Sequence, residues 1–293
     1  MLKTLSARVK IFSLACAITL AACLSGSLKP ARADIAVQNG QKIAFMGDSI
    51  TANGWGHSTG YVNLVVSALK TNGVTVTPIP AGVSGETSKN MLARLDRDVL
   101  GKKPDWMTLS CGVNDVWHGA NGGVPLDQYK TNITSIVDQA KAAGIKVVIL
   151  TSTPIGEDLT AANNVKLADY NAFLKDLATK EDCPLADLNA GMQEGLKAKT
   201  LPGNYLTADG VHMNPRGDQI MASGILKALG MSDDQIAKAR EVWLDIPGGW
   251  PITVTVPATI HQYEALVKQA QSQKTTPEAI LAKAAAEQLN PAK

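Results

Sequence analysis

Three side chains in this sequence have the types and the spacing for nucleophilic hydrolysis: Ser49, Asp209 and His212. A serine hydroxyl is a poor nucleophile until a neighbouring base takes its proton. Imidazole titrates near neutrality, so His212 can accept that proton and return it to a leaving group. Asp209 stands three residues earlier, in Asp209-Gly210-Val211-His212-Met213-Asn214-Pro215. On a loop, that spacing lets a carboxylate reach the second ring nitrogen, fix the tautomer and stabilise the imidazolium. Each residue alone has a plainer reading. Ser49 could cap a helix, and His212 could be a surface loop residue.

The elements around these residues decide between the readings. Lys42 to Met46 is an apolar run that breaks at Gly47-Asp48-Ser49, and Trp106 to Ser110 is another that breaks before Gly112-Val113-Asn114-Asp115. Val74 to Ile79 alternates β-branched residues as a strand does, Ile145 to Leu150 is continuously apolar, and Leu185 to Leu188 is a short fifth run. Helical periodicity covers Tyr61 to Lys70, the stretch after Thr87, Ile133 to Gly144, Val165 to Leu177 and Pro215 to Leu229. Strands alternating with helices predict an α/β fold with a parallel sheet covered on both faces. In such folds active sites gather at the carboxyl ends of the strands, where the serine and asparagine blocks fall.

Gly47-Asp48-Ser49, Ser84-Gly85-Glu86-Thr87-Ser88, Gly112-Val113-Asn114-Asp115 and Asp209-Gly210-Val211-His212 resemble, in order, the four sequence blocks of the SGNH hydrolases, the GDSL esterase and lipase superfamily. Gly-Asp-Ser alone is common; four blocks in order, over about residues 41 to 230, are specific. The resemblance implies a three-layer α/β/α sandwich with a five-stranded parallel sheet, flavodoxin-like in its layering. It implies Ser49 as nucleophile, His212 as base and Asp209 as its partner. It also implies an oxyanion hole of the Ser49 and Gly85 N–H groups and the Asn114 side-chain amide. Asp48 and Asp115 match the family's structural acids and are expected to tie loops together. No Gly-x-Ser-x-Gly elbow surrounds Ser49, which argues against the ordinary α/β-hydrolase fold.

Composition narrows the partners. Residues 1–33 carry five basic residues and no acid; without them 23 basic residues stand against 26 acidic ones, a net charge of −3. A mildly acidic chain with no basic run has no footprint for nucleic acid. Lys3, Arg8 and Lys10 precede an apolar stretch from Ile11 to Leu24, the form of an export signal. Ala31-Arg32-Ala33 suits an ordinary secretory cleavage site. Leu20-Ala21-Ala22-Cys23 suits a lipoprotein box that would anchor Cys23 through lipid. Both readings put the protein outside the cytoplasm, secreted, periplasmic or membrane-anchored. Cys111 and Cys183 fall at opposite ends of their strands and are expected to stay unpaired. No metal-ligand spacing is present, so neither metal nor cofactor is expected.

Trp55, His57, Trp117 and His118 follow Ser49 and Asn114 in what read as loops. Trp55, Trp117 and His118 are candidate substrate contacts, since indole faces stack on sugar rings or acyl chains; packing of the loop itself is the alternative. No long insertion supplies an apolar lid. An exported serine esterase acting on short acyl esters of carbohydrates is the expectation. A lipase or thioesterase for longer chains, and a surface acyltransferase or acyl-glycan-binding protein, are the alternatives. Residues 231–293 form an extension outside the family pattern, read as a helix (Asp233 to Trp243), a strand (Ile252 to Val256) and two helices (Ile260 to Ala270, Pro277 to Gln288). Strand-helix-helix resembles a ribbon-helix-helix DNA-binding unit, but this strand lacks a basic face. Packing on the main domain or dimerisation is the expected role, and the oligomeric state is open.

Overall fold

The computed structural model describes residues 35–247 and 250–289; the expected export segment, with Cys23, lies outside the described residues. The chain runs β1 (Lys42–Gly47), α1 (Ser49–Gly56), α2 (Tyr61–Thr71), β2 (Thr77–Gly82), α3 (Ser88–Asp98), β3 (Trp106–Ser110), α4 (Val113–Trp117), α5 (Leu126–Ala142), β4 (Lys146–Leu150), α6 (Ala162–Lys180), β5 (Leu185–Ala186), α7 (Leu188–Leu196), α8 (Pro215–Ala228) and α9 (Asp233–Leu244). The five strands are parallel in the order β2-β1-β3-β4-β5. One helical layer joins α2, α7, α8 and α9; the other joins α3, α5 and α6. This is the expected three-layer α/β/α sandwich.

The central strands β1 and β3 are buried almost end to end because helices cover both faces. Phe45, Met46, Met107 and Leu109 fill the centre. β2 lies later than the alternation of Val74 to Ile79 suggested and contains Pro78 and Pro80. Proline cannot donate to a ladder, but β2 is an edge strand, and two prolines of equal parity turn the same side outward. β5 is only two residues long, and Leu188 opens α7 instead of closing the strand. Asp187 caps α7 by accepting from the Ala190 N–H at 3.2 Å.

The compact unit extends beyond residue 230, where the extension was expected to begin; it reaches Trp250, and a second unit starts at Pro251. A reciprocal cap between Ser232 and Gln235 starts α9. Its Ile236, Ala239 and Trp243 are buried, and the Trp243 indole N–H donates to the Leu64 carbonyl at 3.1 Å. In the second unit, α10 (Ile260–Gln273) and α11 (Pro277–Leu289) form as expected. Ile252 to Val256 does not form a strand, so the expected α+β character is corrected to helical among the described residues. A strand needs a partner ladder, and none forms there among the described residues.

Candidate active site

Ser49 is the first residue of α1, directly after β1. Asp48 caps the helix, accepting from the Ile50 N–H at 2.9 Å. Its carboxyl is pushed up to about 6 by burial, against the pull of that bond and helped by the charge of Asp115. The Ser49 N–H has no intrahelical carbonyl to meet and lies at the positive end of the helix dipole. Gly82, at the end of β2, lets α1 sit this close, since a Cβ there would come 2.4 Å from the Ala52 nitrogen.

His212 joins Ser49 to Asp209. Its Nε2 lies 2.8 Å from Ser49 Oγ, and its Nδ1 lies 2.6 Å from Asp209 Oδ2. A neutral imidazole that donates from Nδ1 presents Nε2 as acceptor for the serine hydroxyl. Asp209 Oδ1 accepts from the N–H groups of Val211 (2.9 Å) and His212 (2.8 Å). Partial burial raises the Asp209 carboxyl, but the bonds from His212 and Val211 outweigh it and hold the group below its ordinary range. The carboxylate therefore stays charged and keeps the ring oriented.

The remaining candidates come from the ends of β2 and β3. Gly85 has φ +78°, a left-handed conformation that favours glycine, and nothing lies within 4 Å of a Cβ placed there. Backbone shape, not space, requires this glycine. Asn114 is buried in α4, and its side-chain amide donates to the Glu86 carbonyl at 3.0 Å. That bond places it beside the Gly85 turn and leaves one amide hydrogen for another acceptor. Asp115 accepts from the Ser88 N–H at 3.0 and 3.2 Å and from the Ser88 hydroxyl at 2.5 Å, tying α4 to the start of α3. Asp48 and Asp115 both tie backbone, as expected of them.

Two charged residues that organise the site escaped the sequence reading. The Arg94 guanidinium is buried in α3 and donates to the carbonyls of Gly47 and Ala81, both at 2.9 Å, and to Asp98 at 3.0 Å. It also pairs with Glu86. It thus binds the ends of β1 and β2 to the residue whose carbonyl holds Asn114. Glu157 anchors the loop that carries His212. Its carboxylate accepts from the N–H groups of Tyr205, Leu206 and Thr207, from the Thr207 hydroxyl at 2.9 Å and from Lys199 at 3.1 Å. Burial raises the Glu157 carboxyl, yet the bonds from Leu206 and Tyr205 outweigh it and hold it below the ordinary value. Gly156 N–H donates to the Gly210 carbonyl at 2.7 Å, a second tie to the same arm.

The expected substrate residues lie on short helices instead of loops. Trp55 lies in the last turn of α1 at 40 % exposure and Trp117 ends α4 at 49 %, while His118 is half-buried in the C-cap position of α4. Asn53, Gly54 and Gly56 interrupt the apolar pattern of α1, and Asn114-Asp115 that of the five-residue α4, which hid these helices from periodicity. His57 stacks at a tilt on Trp250, ring centres 5.1 Å apart. Cys111 is buried and Cys183 half-buried, and both are free thiols.

The fold agrees with comparisons to known proteins. The chain belongs to the GDSL-like lipase/acylhydrolase family, which it matches over residues 45–220. It is a carboxylic ester hydrolase. An acetylxylan esterase of Geobacillus stearothermophilus is 29% identical over 214 residues, covering 66% of this chain and 96% of the relative. Its crystal structure superposes with a TM-score of 0.62 at 28% identity, covering 67% of this chain and 97% of that one. An uncharacterized lipoprotein of Bacillus subtilis is 24% identical over 190 residues, 56% of this chain and 77% of the relative. Esterase TesA of Pseudomonas aeruginosa is 35% identical over 111 residues, 38% of this chain and 53% of the relative.

Proposed function

We propose that this chain is an exported serine esterase that removes short acyl groups, acetyl above all, from carbohydrates. One observation carries the reading: the continuous hydrogen-bond relay from Ser49 through His212 to Asp209, at 2.8 and 2.6 Å. In this cycle Ser49 Oγ attacks the ester carbonyl carbon as its proton passes to His212 Nε2. The carbonyl oxygen becomes an oxyanion held by the N–H groups of Ser49 and Gly85 and the second amide hydrogen of Asn114. His212 then protonates the leaving alcohol. Water enters, gives its proton to His212, and releases the acid from the acyl-enzyme.

The relatives support this assignment of roles. Catalytic mutants of the Geobacillus acetylxylan esterase alter a serine, an aspartate and a histidine, the last two three positions apart as Asp209 and His212 are. That enzyme's name supports the acetyl-carbohydrate substrate class. The exposed faces of Trp55 and Trp117, each on the helix of a proposed oxyanion donor, suit stacking on sugar rings. Export rests on the pattern of residues 1–33, with the lipoprotein relative as support.

Initial rates on p-nitrophenyl esters from acetyl to dodecanoyl, and acetate release from acetylated xylan, test the substrate. Activity should be highest on acetyl esters, extend to the glycan and vanish in Ser49→Ala. A peak at dodecanoyl would replace the reading with a lipase. Turnover retained by Ser49→Ala would remove the nucleophile.

A further inference from the structure

The second unit carries an apolar surface that its own described residues do not cover. Among its described residues only Ala270 is buried. Ile252, Val254, Val256, Ile260, Tyr263, Leu281 and Leu289 are exposed by 41–84 %. A unit of 43 residues is near the lower limit for independent folding, below which oligomerisation, metal or disulfides usually supply the missing core. Yet its helices are well specified: Thr259 and Gln262 form a reciprocal cap on α10, and Thr276 caps α11 through the Ala279 N–H at 3.2 Å. The unit is built to fold and lacks only a second side.

The segment before α10 says what that side is. It reads Pro251-Ile252-Thr253-Val254-Thr255-Val256-Pro257, alternates as a strand, and makes no strand pairing among the described residues. It is also the same from either end. About Val254, threonine stands at both neighbours, a β-branched apolar residue two positions away on both sides, and proline three positions away on both sides. An antiparallel pair of copies related by a two-fold axis at Val254 would set Ile252 opposite Val256 and Thr253 opposite Thr255. All six apolar side chains would then share one face and all threonines the other. The prolines, which lack N–H groups, end the ladder at both sides. A heterologous partner would have no need of this symmetry; an isologous one requires self-complementarity of this kind.

We infer that residues 251–289 are a dimerisation unit, in which Ile252–Val256 of two copies of this chain pair antiparallel about Val254. The ribbon presents its apolar face to the exposed apolar residues of α10 and α11. A two-stranded ribbon is marginal alone and needs such cover. The reading is independent of the ester chemistry, because no residue of the proposed active site takes part.

The first test is sedimentation equilibrium of the full chain beside Val254→Asp. The wild type should be a dimer and the variant a monomer, with unchanged turnover of p-nitrophenyl acetate. The second test fixes register, in a background where Cys16, Cys23 and Cys183 are serine. Partners facing across an antiparallel pair have Cα atoms about 4.5–5.5 Å apart, within disulfide reach. Val254→Cys should therefore form a covalent dimer on oxidation. Thr255→Cys should not, because its copy is displaced diagonally by about 8 Å. A monomeric wild type at all concentrations overturns the inference. So does a dimer that survives Val254→Asp and resists cross-linking at position 254, since it would use another surface.

Discussion

At the scale of single residues, Asn114 shows how the site divides its groups. One amide hydrogen holds the Glu86 carbonyl, so only the other can meet a developing oxyanion. Asn114→Ala is expected to lower kcat by about 100- to 1000-fold with KM within a few-fold, as for loss of one oxyanion donor. A large rise in KM with kcat intact would assign Asn114 to ground-state binding instead. Arg94 acts at one remove, through Gly47, Ala81 and Glu86. A lysine ammonium cannot reach these partners together, as the guanidinium fork does. Arg94→Lys should cost about tenfold or more in kcat, since misplacement by 1 Å can cost about 100-fold, while the limbs of the pH–rate profile stay where they were. An unchanged kcat would show that the oxyanion donors do not depend on this strut. The grouping of Ser49, Asp209 and His212 was legible because their types and spacing suit one hydrogen-bonded relay, which the structure brings together. Arg94 and Glu157 were not, because backbone groups, two carbonyls for Arg94 and three N–H groups for Glu157, supply much of what they bind, and such groups leave no mark in a sequence. The one available sign was Glu86, inside a recognisable block and eight residues before Arg94.

At the scale of elements, the base arm and the α2–α8 contact make separable predictions. A glutamine at 157 keeps one acceptor oxygen and turns the other into a donor facing N–H groups. Glu157→Gln should lower stability by about 1–3 kcal/mol and reduce kcat, read by urea unfolding and steady-state rates. Full activity would mean the arm is held by its other contacts. Asp218, in α8, accepts from the Tyr61 N–H that opens α2, at 2.9 Å. Burial pushes its carboxyl up to about 7 from 3.8, against the pull of that bond. The folded chain thus holds a proton that the unfolded chain has released, and stability falls as pH rises from about 4 to about 7. Asp218→Asn should flatten the profile of unfolding midpoint against pH over that window. An unaltered slope would place the titration elsewhere. Strand and helix order was legible because both faces of the sheet are covered and its strands read as apolar runs. β2 was displaced because its prolines are tolerated only at an edge, and edge position is a property of the assembled sheet.

At the scale of the whole molecule, the hydrolase unit continues through α9, which family resemblance alone could not show. Trp243 is 4 % exposed and hydrogen-bonded to the Leu64 carbonyl. Trp243→Ala should cost about 3–5 kcal/mol in a urea melt; a loss below about 1 kcal/mol would make α9 an appendage after all. The proposed catalytic relay joins two parts of different security. Ser49 follows β1, an inner strand of the sheet, whereas His212 rides on a loop held by the Glu157 carboxylate, the Gly156–Gly210 bond and the buried side chains of Leu206, Val211 and Met213. Such an arm can open while the sheet remains folded. On heating, catalysis should therefore fail at a lower temperature than the loss of helical ellipticity, and return on cooling. Thermal inactivation of this enzyme would then be the release of a latch, not the melting of its frame.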